Sequence, residues 1–432
     1  MRPWFNHERY LRWTRRLAAY SGAQGLALLV NTLSGFLLVR GMEKEAYAWF
    51  TITNSLLATI SVMSDSGLGS AMMSIGGRVC EDRPRFAALM TLAHRMRFRF
   101  MLLAALVTLP AGWWVLARNN APWTVILPLM LLVMITATFS VESVVLGSIN
   151  KLHRRVGFMV KADLGLSFSR LLAVLAGLLP GLTAAVATAA TAAAQWAQVW
   201  LLRRQTAGDL KEPAQIDPAW QPEIQATVKS LFPLCLFNCV QGHITTWVLS
   251  LFASTEKVAD VGALTRLGIL FTFLALPMTQ LVMPVIARTQ EPRRLTRLSL
   301  LTLGGMTAAS AALAGTGMFL ASPLLWLLGP QYTHLHRELA WFLGAQALGI
   351  TANVAWSLCY TRSWVRHAWW QIPLTIAAQV AAAQFLDLAR ISHTIVFASV
   401  SSVTGLLMAA MLAFRGLNSH RRQVAQTRTP PF

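Results

Sequence analysis

Residues 124–149 have the sequence TVILPLMLLVMITATFSVESVVLGSI, in which Glu142 is the one charged side chain. A helix needs about 20 mainly apolar residues to cross the hydrocarbon core of a bilayer. The stretch is long enough and apolar enough to do so. It therefore predicts a membrane-spanning helix.

The same pattern recurs along the whole chain. A window of about 20 apolar residues yields about twelve such segments. A turn signal, Pro180-Gly181, divides an apolar stretch that is too long for one span. The segments are roughly 17–39, 46–75, 100–117, 124–149, 162–180, 181–202, 227–252, 261–287, 298–321, 338–360, 368–388 and 394–414.

Composition points to the same class of protein. The 432 residues are 55% hydrophobic and 12% charged, whereas a soluble domain carries about 25% charged residues. Much of the surface must therefore face lipid. The net charge is +20, but no base-stacking motif accompanies it, so we expect no nucleic-acid partner.

Lysine and arginine are distributed unequally between alternate loops. With the N-terminus in the cytoplasm, inside loops hold about 29 of them and outside loops about 6, as the positive-inside rule requires. Arg95, Arg97 and Arg99 are assigned to the inside loop before the third segment. This asymmetry predicts an even number of helices, with both termini in the cytoplasm.

The most hydrophilic stretch, 203–226, lies near the middle of the chain and contains three prolines. It predicts an N-terminal lobe at 1–208, a cytoplasmic linker at 209–226 and a C-terminal lobe at 227–432. Two six-helix halves are a common plan of transporters. The expected fold is thus an all-α polytopic membrane protein, with about twelve transmembrane helices in two lobes around a central cavity.

Polar side chains inside the apolar segments follow single helix faces, as Asn54, Ser61 and Asp65 do in the second segment. Such side chains either join helices, at about 0.6–2 kcal/mol each, or line a water-filled cavity. Asp65 is the candidate coupling or ion-pair residue, and Asp163 is expected to be solvated near a helix end. The candidate cavity residues are Arg266, Arg170, Asn31, Asn54, Asn238, Gln241, Gln346 and Asn353.

The sequence contains no signature of an enzyme. It has no P-loop, no nucleophile elbow and no pair of carboxylates in an exposed loop suited to glycosyl chemistry. The spacing of the four cysteines fits neither a zinc site nor a redox motif. We therefore expect a protein without catalytic residues, metal or cofactor.

Several short motifs resemble those of the polysaccharide exporters and lipid-linked oligosaccharide flippases of the multidrug/oligosaccharidyl-lipid/polysaccharide (MOP) superfamily, the O-antigen flippases above all. Their order and their placement among the helices match that group. The motifs are LVR at 38–40, Tyr47 with Phe50, DSGLGSA at 65–71, LTRL at 264–267, PVIAR at 284–288, and LGPQY at 328–332 followed by Asn353.

The resemblance implies alternating access and an undecaprenyl-diphosphate-linked oligosaccharide as the substrate, in a bacterial inner membrane. Arginines would bind the diphosphate, and the carboxamides would bind sugar hydroxyls. Asp65 would bind a coupling proton or cation, or pair with an arginine. Polysaccharide-assembly proteins are the expected partners.

Two other functions remain open. A cation-coupled drug or small-solute exporter of the same superfamily would favour an acidic, aromatic cavity over one with arginines. A membrane-embedded glycosyl polymerase or ligase would need a sizeable outside loop for its catalytic residues, and the outside loops here are short.

Overall fold

The structure is a computed structural model that describes residues 7–65, 68–79, 82–153, 155–179, 181–208, 220–278, 282–289, 291–362, 364 and 368–428. The chain divides into two compact units, Met1–His243 and Ile244–Phe432. Every element of regular structure in the described residues is a helix.

In its described residues, the N-terminal unit contains seven helices and the first part of an eighth. The division between the units falls inside that eighth helix, after His243. The helices are α1 (His7–Gly41), α2 (Lys44–Asp65), α3 (Leu68–Val79), α4 (Arg83–Arg118), α5 (Trp123–Leu152), α6 (Val156–Gly177), α7 (Ala184–Thr206) and α8 (Trp220–Phe252).

The C-terminal unit takes the end of α8 and the helices that follow it. A short 3₁₀ turn, Pro330–Tyr332, and a second one, Ala368–Trp370, connect some of them. The helices are α9 (Thr255–Leu267), α10 (Ile269–Pro277), α11 (Met283–Arg288), α12 (Pro292–Phe319), α13 (Ala321–Leu328), α14 (His336–Thr361), α15 (Gln371–Ala383) and α16 (Ile391–Arg428).

Eight helical stretches of the described chain are long and apolar enough to cross a membrane. They belong to α1, α4, α5, α8, the continuous α9–α10 stretch, α12, α14 and α16. The predicted all-helical membrane fold is thus confirmed. Each of the other four predicted segments contains a helix, namely α2, α6, α7 and α15. Among these, α15 has 13 residues, which at 1.5 Å per residue is shorter than a bilayer core of about 30 Å.

The outer faces of the membrane helices are apolar. On α4, Leu103, Leu106 and Val107 are exposed and share one face, while Met101 and Ala104 on the opposite face are buried. Large apolar side chains on both sides of a helix are expected where one side packs on protein and the other on lipid. The exposed leucines and valine therefore mark a lipid-facing surface.

Local sequence explains several helix ends. Asp82 accepts a hydrogen bond from the Arg85 backbone N–H at 3.3 Å and so caps α4, whose first turn contains a proline. Thr183 caps α7 in the same way, at 3.2 Å from the Val186 nitrogen. The helix α6 ends at Gly177 and α7 begins at Ala184, on either side of the predicted break. Between them Gly181 has a φ of 98°, a value that side-chain-bearing residues seldom adopt.

The predicted linker remains a prediction, because residues 209–219 lie outside the described part of the chain. From Trp220 onward the chain is helical. The buried core of the N-terminal unit includes Trp220, Ile224 and Val228, which pack with residues of α3, α4, α5, α6 and α7. The first turns of α8 therefore belong to the packed interior of this unit.

Candidate functional site

An ion pair inside the N-terminal unit holds the candidate coupling residue. Nη2 of Arg97 on α4 donates to Oδ1 of Asp65, the last residue of α2. The Arg97 side chain is 1% exposed and that of Asp65 is 45% exposed. The same carboxylate oxygen accepts the Gly69 backbone N–H at 3.1 Å. Asp65 thus ties together α2, α3 and α4.

Arg97 was assigned to a loop from the sequence, and that assignment was wrong. Residues 83–118 form one continuous helix, so Arg95, Arg97 and Arg99 lie on α4. At 100° per residue, Arg97 faces the opposite side of α4 from Arg95 and Arg99, which are both exposed. A hydropathy window excludes a cluster of arginines. The predicted segment therefore began at residue 100, whereas α4 begins at Arg83.

A signal for the burial of Arg97 was present in the sequence. Met90, Ala93, Met101 and Ala104 lie at helical spacing around it, and all four are buried. Arg97 therefore occupies a core position of an apolar stripe. A charge at such a position requires a partner, because an unpaired buried charge is costly.

Gly69 leaves space for this ion pair. A Cβ atom at that position would lie 3.1 Å from Oδ1 of Asp65 and 3.3 Å from Nη2 of Arg97. Both distances are tighter than ordinary contacts. The second glycine of the DSGLGSA motif, Gly69, is therefore explained by the close approach of the salt bridge.

A second polar cluster connects α1, α6 and α7. Asn31 Nδ2 donates to Ser167 Oγ at 3.0 Å. Asp163 accepts from Gln24 Nε2 at 3.0 Å and from Gln198 Nε2 at 3.2 Å. Asp163 is half-buried, so the expectation of a solvated carboxylate at a helix end was wrong. The carboxylate lies inside α6, which begins at Val156.

Two more of the predicted residues lie on these helices. Arg170 follows Asp163 and Ser167 along one face of α6, and it is half-buried. Asn54 is half-buried on α2, on the face that carries Ser61, whose Oγ lies 3.4 Å from Oγ of Ser140 on α5. The structure gives Asp65 an arginine partner on α4.

On α8 the predicted carboxamides differ in exposure. Asn238 is exposed and Gln241 is half-buried, both within the apolar stretch Phe232–Phe252. The cysteines Cys235 and Cys239 are free thiols on the same helix.

The C-terminal unit holds the other three predicted residues. Arg266 is half-buried at the end of α9, next to the junction with α10 at Gly268. A Cβ atom on Gly268 would lie 3.3 Å from Cδ and Nε2 of Gln346 on α14. Gln346 therefore packs against the junction beside Arg266. Asn353 is exposed, two turns further along α14.

One ionisable residue was missed. Asp260 on α9 has a side chain that is 5% exposed, and its Oδ2 lies 3.5 Å from Nε2 of His334, which is 54% exposed. The predicted segment began one residue later, at 261, so Asp260 lay just outside it. In the described residues, no group of His, Cys, Asp and Glu has the arrangement of a metal site.

No protein-family profile matches the chain, and no curated protein sequence matches it either. Solved structures do. One described as the inward-facing conformation of a multidrug resistance MATE family transporter of the MOP superfamily has a TM-score of 0.73 and 14% identity, covering 91% of this chain and 96% of that one.

A structure described as lipid II flippase MurJ in an inward closed conformation has a TM-score of 0.70 and 9% identity, with 96% of this chain and 94% of that one covered. A MATE crystal structure in the bent conformation has a TM-score of 0.59 and 14% identity, with 95% of each chain covered. At such low identities these similarities establish the fold. The chain is therefore a multi-pass helical membrane protein with the fold of MATE transporters and of MurJ.

Proposed function

We propose that the chain is a transporter that flips an undecaprenyl-diphosphate-linked oligosaccharide across the bacterial inner membrane by alternating access, for the assembly of surface polysaccharide. The observation that carries this proposal is the exposure of Asn238 and Asn353 inside apolar membrane stretches of α8 and α14. An exposed carboxamide at that depth is costly against lipid, so it favours a wet pathway.

The chemistry of the candidate residues fits an anionic, hydroxyl-rich substrate. Arg170 and Arg266 would supply charge-assisted hydrogen bonds to the diphosphate. The packing of Gln346 beside the Arg266 segment supports a shared site for phosphate and sugar in that region. The other proposed sugar-binding residues are Asn31, Asn54, Asn238, Gln241 and Asn353.

Asp65 contributes a structural ion pair in this proposal. Its partnership with Arg97 and with the Gly69 N–H fixes the end of α2. Its half-exposed carboxylate also leaves it accessible to a coupling proton or cation. An inside-negative potential would favour outward movement of an anion by about 2.3 kcal/mol per charge per 100 mV.

The proposed orientation places both termini in the cytoplasm, since the loops rich in arginine and lysine would then all lie inside. Lipid-linked oligosaccharide and polysaccharide-assembly proteins are the proposed partners. The protein moves its substrate without catalysing a covalent step, and the proposal requires no cofactor.

A cation-coupled drug exporter is the second candidate. The observation that favours it is Asp163, a half-buried carboxylate whose two oxygens each accept a carboxamide hydrogen bond. Each of these carboxylate oxygens keeps a lone pair beyond its hydrogen bond, so the group can coordinate a small coupling cation. The similarity to MATE transporters is compatible with this candidate as well.

Complementation separates the two candidates. A flippase-null strain would receive the wild type, Arg266→Ala or the control Arg337→Ala, which removes an exposed arginine from the first turn of α14. We expect wild type and control to restore surface polysaccharide. Loss of one charge-assisted contact, worth about 1.5–3 kcal/mol, should lower the rate in Arg266→Ala about tenfold or more.

Immunoblots of the membrane fraction would verify equal protein levels, and efflux of a cationic dye would be measured in the same cells. A well-expressed wild type that restores no polysaccharide in several sugar backgrounds and yet exports the dye would refute the flippase proposal and support the drug exporter. Full activity of Arg266→Ala would leave the flippase in place and refute its assigned site.

A further inference from the structure

A cavity of about 520 Å³ lies between α4 and the first half of α8, within the N-terminal unit. Its walls include Arg99 and Phe100 on α4, and Gln225, Lys229 and Phe232 on α8. Its volume falls within the range of about 300–1,000 Å³ that is typical of small-molecule sites. None of these residues belongs to the proposed transport site.

The cavity lies where both helices change from polar to apolar. On α4, Arg99 ends the arginine cluster and Phe100 begins the apolar run. On α8, Lys229 precedes the apolar stretch Phe232–Phe252. Two helices that make this transition side by side place the cavity at the depth of lipid headgroups, where lysine and arginine side chains reach the interface.

Two kinds of side chain line the cavity. One kind is polar and comprises the exposed cations Arg99 and Lys229 and the carboxamide of Gln225. The other kind is apolar and includes the rings of Phe100 and Phe232. In the described lining no side chain is acidic. A ligand that satisfies both kinds has an anionic headgroup and an apolar tail.

We propose that this cavity binds an anionic membrane phospholipid, with its phosphate between Arg99 and Lys229 and one acyl chain along Phe100 and Phe232. The depth at the headgroup boundary favours a resident lipid over a soluble anion, because a soluble anion would leave the apolar lining without a partner. The proposal is independent of the substrate that the protein transports.

Native mass spectrometry of the full-length protein in detergent tests the site. The probe is phosphatidylglycerol, and phosphatidylcholine with the same acyl chains is the comparison. A cation near a phospholipid headgroup contributes about 1 kcal/mol, so Arg99→Gln and Lys229→Gln should each weaken phosphatidylglycerol binding about fivefold, and the double variant about twenty-five-fold. Arg95→Gln is the matched control, since it removes an exposed arginine of α4 outside the cavity.

A second variant, Gln225→Trp, fills the cavity without changing its charge, at an exposed position that tolerates a larger side chain. It should abolish the preference for phosphatidylglycerol while the protein elutes as a single species. Unchanged binding in the double variant or in Gln225→Trp would overturn the proposal.

Competition identifies the source of the phosphate. Release of phosphatidylglycerol by millimolar inorganic phosphate would assign the site to a soluble anion, and this would overturn the proposal. Displacement by an equal concentration of a polyprenyl phosphate would identify a dock for a transported lipid, and that result would also overturn it. Retention against both supports a resident phospholipid.

Discussion

Removing either partner of the Asp65–Arg97 ion pair should have unequal consequences. Arg97 is 1% exposed and Asp65 is 45% exposed. Without its carboxylate, Arg97 stays buried as an uncompensated charge, whereas water can solvate Asp65 when Arg97 is absent. We therefore expect Asp65→Ala to destabilise the protein more than Arg97→Met, which places an apolar side chain of similar length among buried residues.

The magnitude follows from the burial of the arginine. Breaking a buried pair from the side that leaves a buried charge costs about 3–5 kcal/mol, and the lower value applies here because Asp65 is half-exposed. In the described residues, Nε of Arg97 has no hydrogen-bond partner, so the guanidinium depends strongly on Asp65. Arg97→Met should cost about 1 kcal/mol, and the double variant should resemble it.

Thermal unfolding in detergent, followed by tryptophan fluorescence, ranks the variants. About 3 kcal/mol corresponds to a decrease in melting temperature on the order of 6–12 °C for a unit of this size. Arg95→Met is the control for a substitution at an exposed arginine of α4. The reasoning would be refuted if Arg97→Met were as destabilising as Asp65→Ala, or if the double variant were less stable than both.

Two further predictions concern close packing and the second polar cluster. A Cβ atom on Gly112 of α4 would collide with Cδ1 of Leu56 on α2, so Gly112→Ala should lower the free energy of unfolding by about 1–3 kcal/mol, and Leu56→Ala should partly rescue it. Gly147→Ala, with nothing within 4 Å of its Cβ, should be neutral or stabilising. Equal melting temperatures for Gly112→Ala and Gly147→Ala would contradict this. Asp163→Leu removes the acceptor of two carboxamide hydrogen bonds and should lower the free energy of unfolding by about 1–3 kcal/mol. Asp163→Asn should fold, and if Asp163 carries the coupling ion, transport in proteoliposomes should no longer depend on the ion gradient. Unchanged gradient dependence would exclude that role.

Much of the fold could be predicted because membrane insertion depends on local sequence. A segment such as 124–149 must form a helix in lipid, since every backbone polar group there needs an internal partner. The break at 180–181 also follows from local conformational preferences, and Gly181 has the positive φ that a glycine allows. These features need no knowledge of which helix packs on which.

The division of the chain into two units was harder to predict from the sequence. Three prolines suggested a linker at 209–226, which stays a prediction because residues 209–219 lie outside the described part of the chain. From Trp220 onward the described chain is helical, and Trp220 is buried against its own unit. The division into compact units falls inside α8. A proline in the first turn of a helix is tolerated because it lacks only an N–H that would be unsatisfied anyway, so proline alone does not distinguish a linker from a helix start.

The candidate site shows the same limit more sharply. From the sequence alone, the chain is a helical membrane protein, and its intramembrane polar residues, Asp65 and the carboxamides among them, are the candidates for function. Tertiary structure alone decided that Asp65 pairs with Arg97, 32 residues away, and that Asp163 receives hydrogen bonds from α1 and α7. The reason is physical: hydrophobicity acts on each segment separately, whereas the partner of a buried charge is chosen by the packing of helices that are distant in the chain.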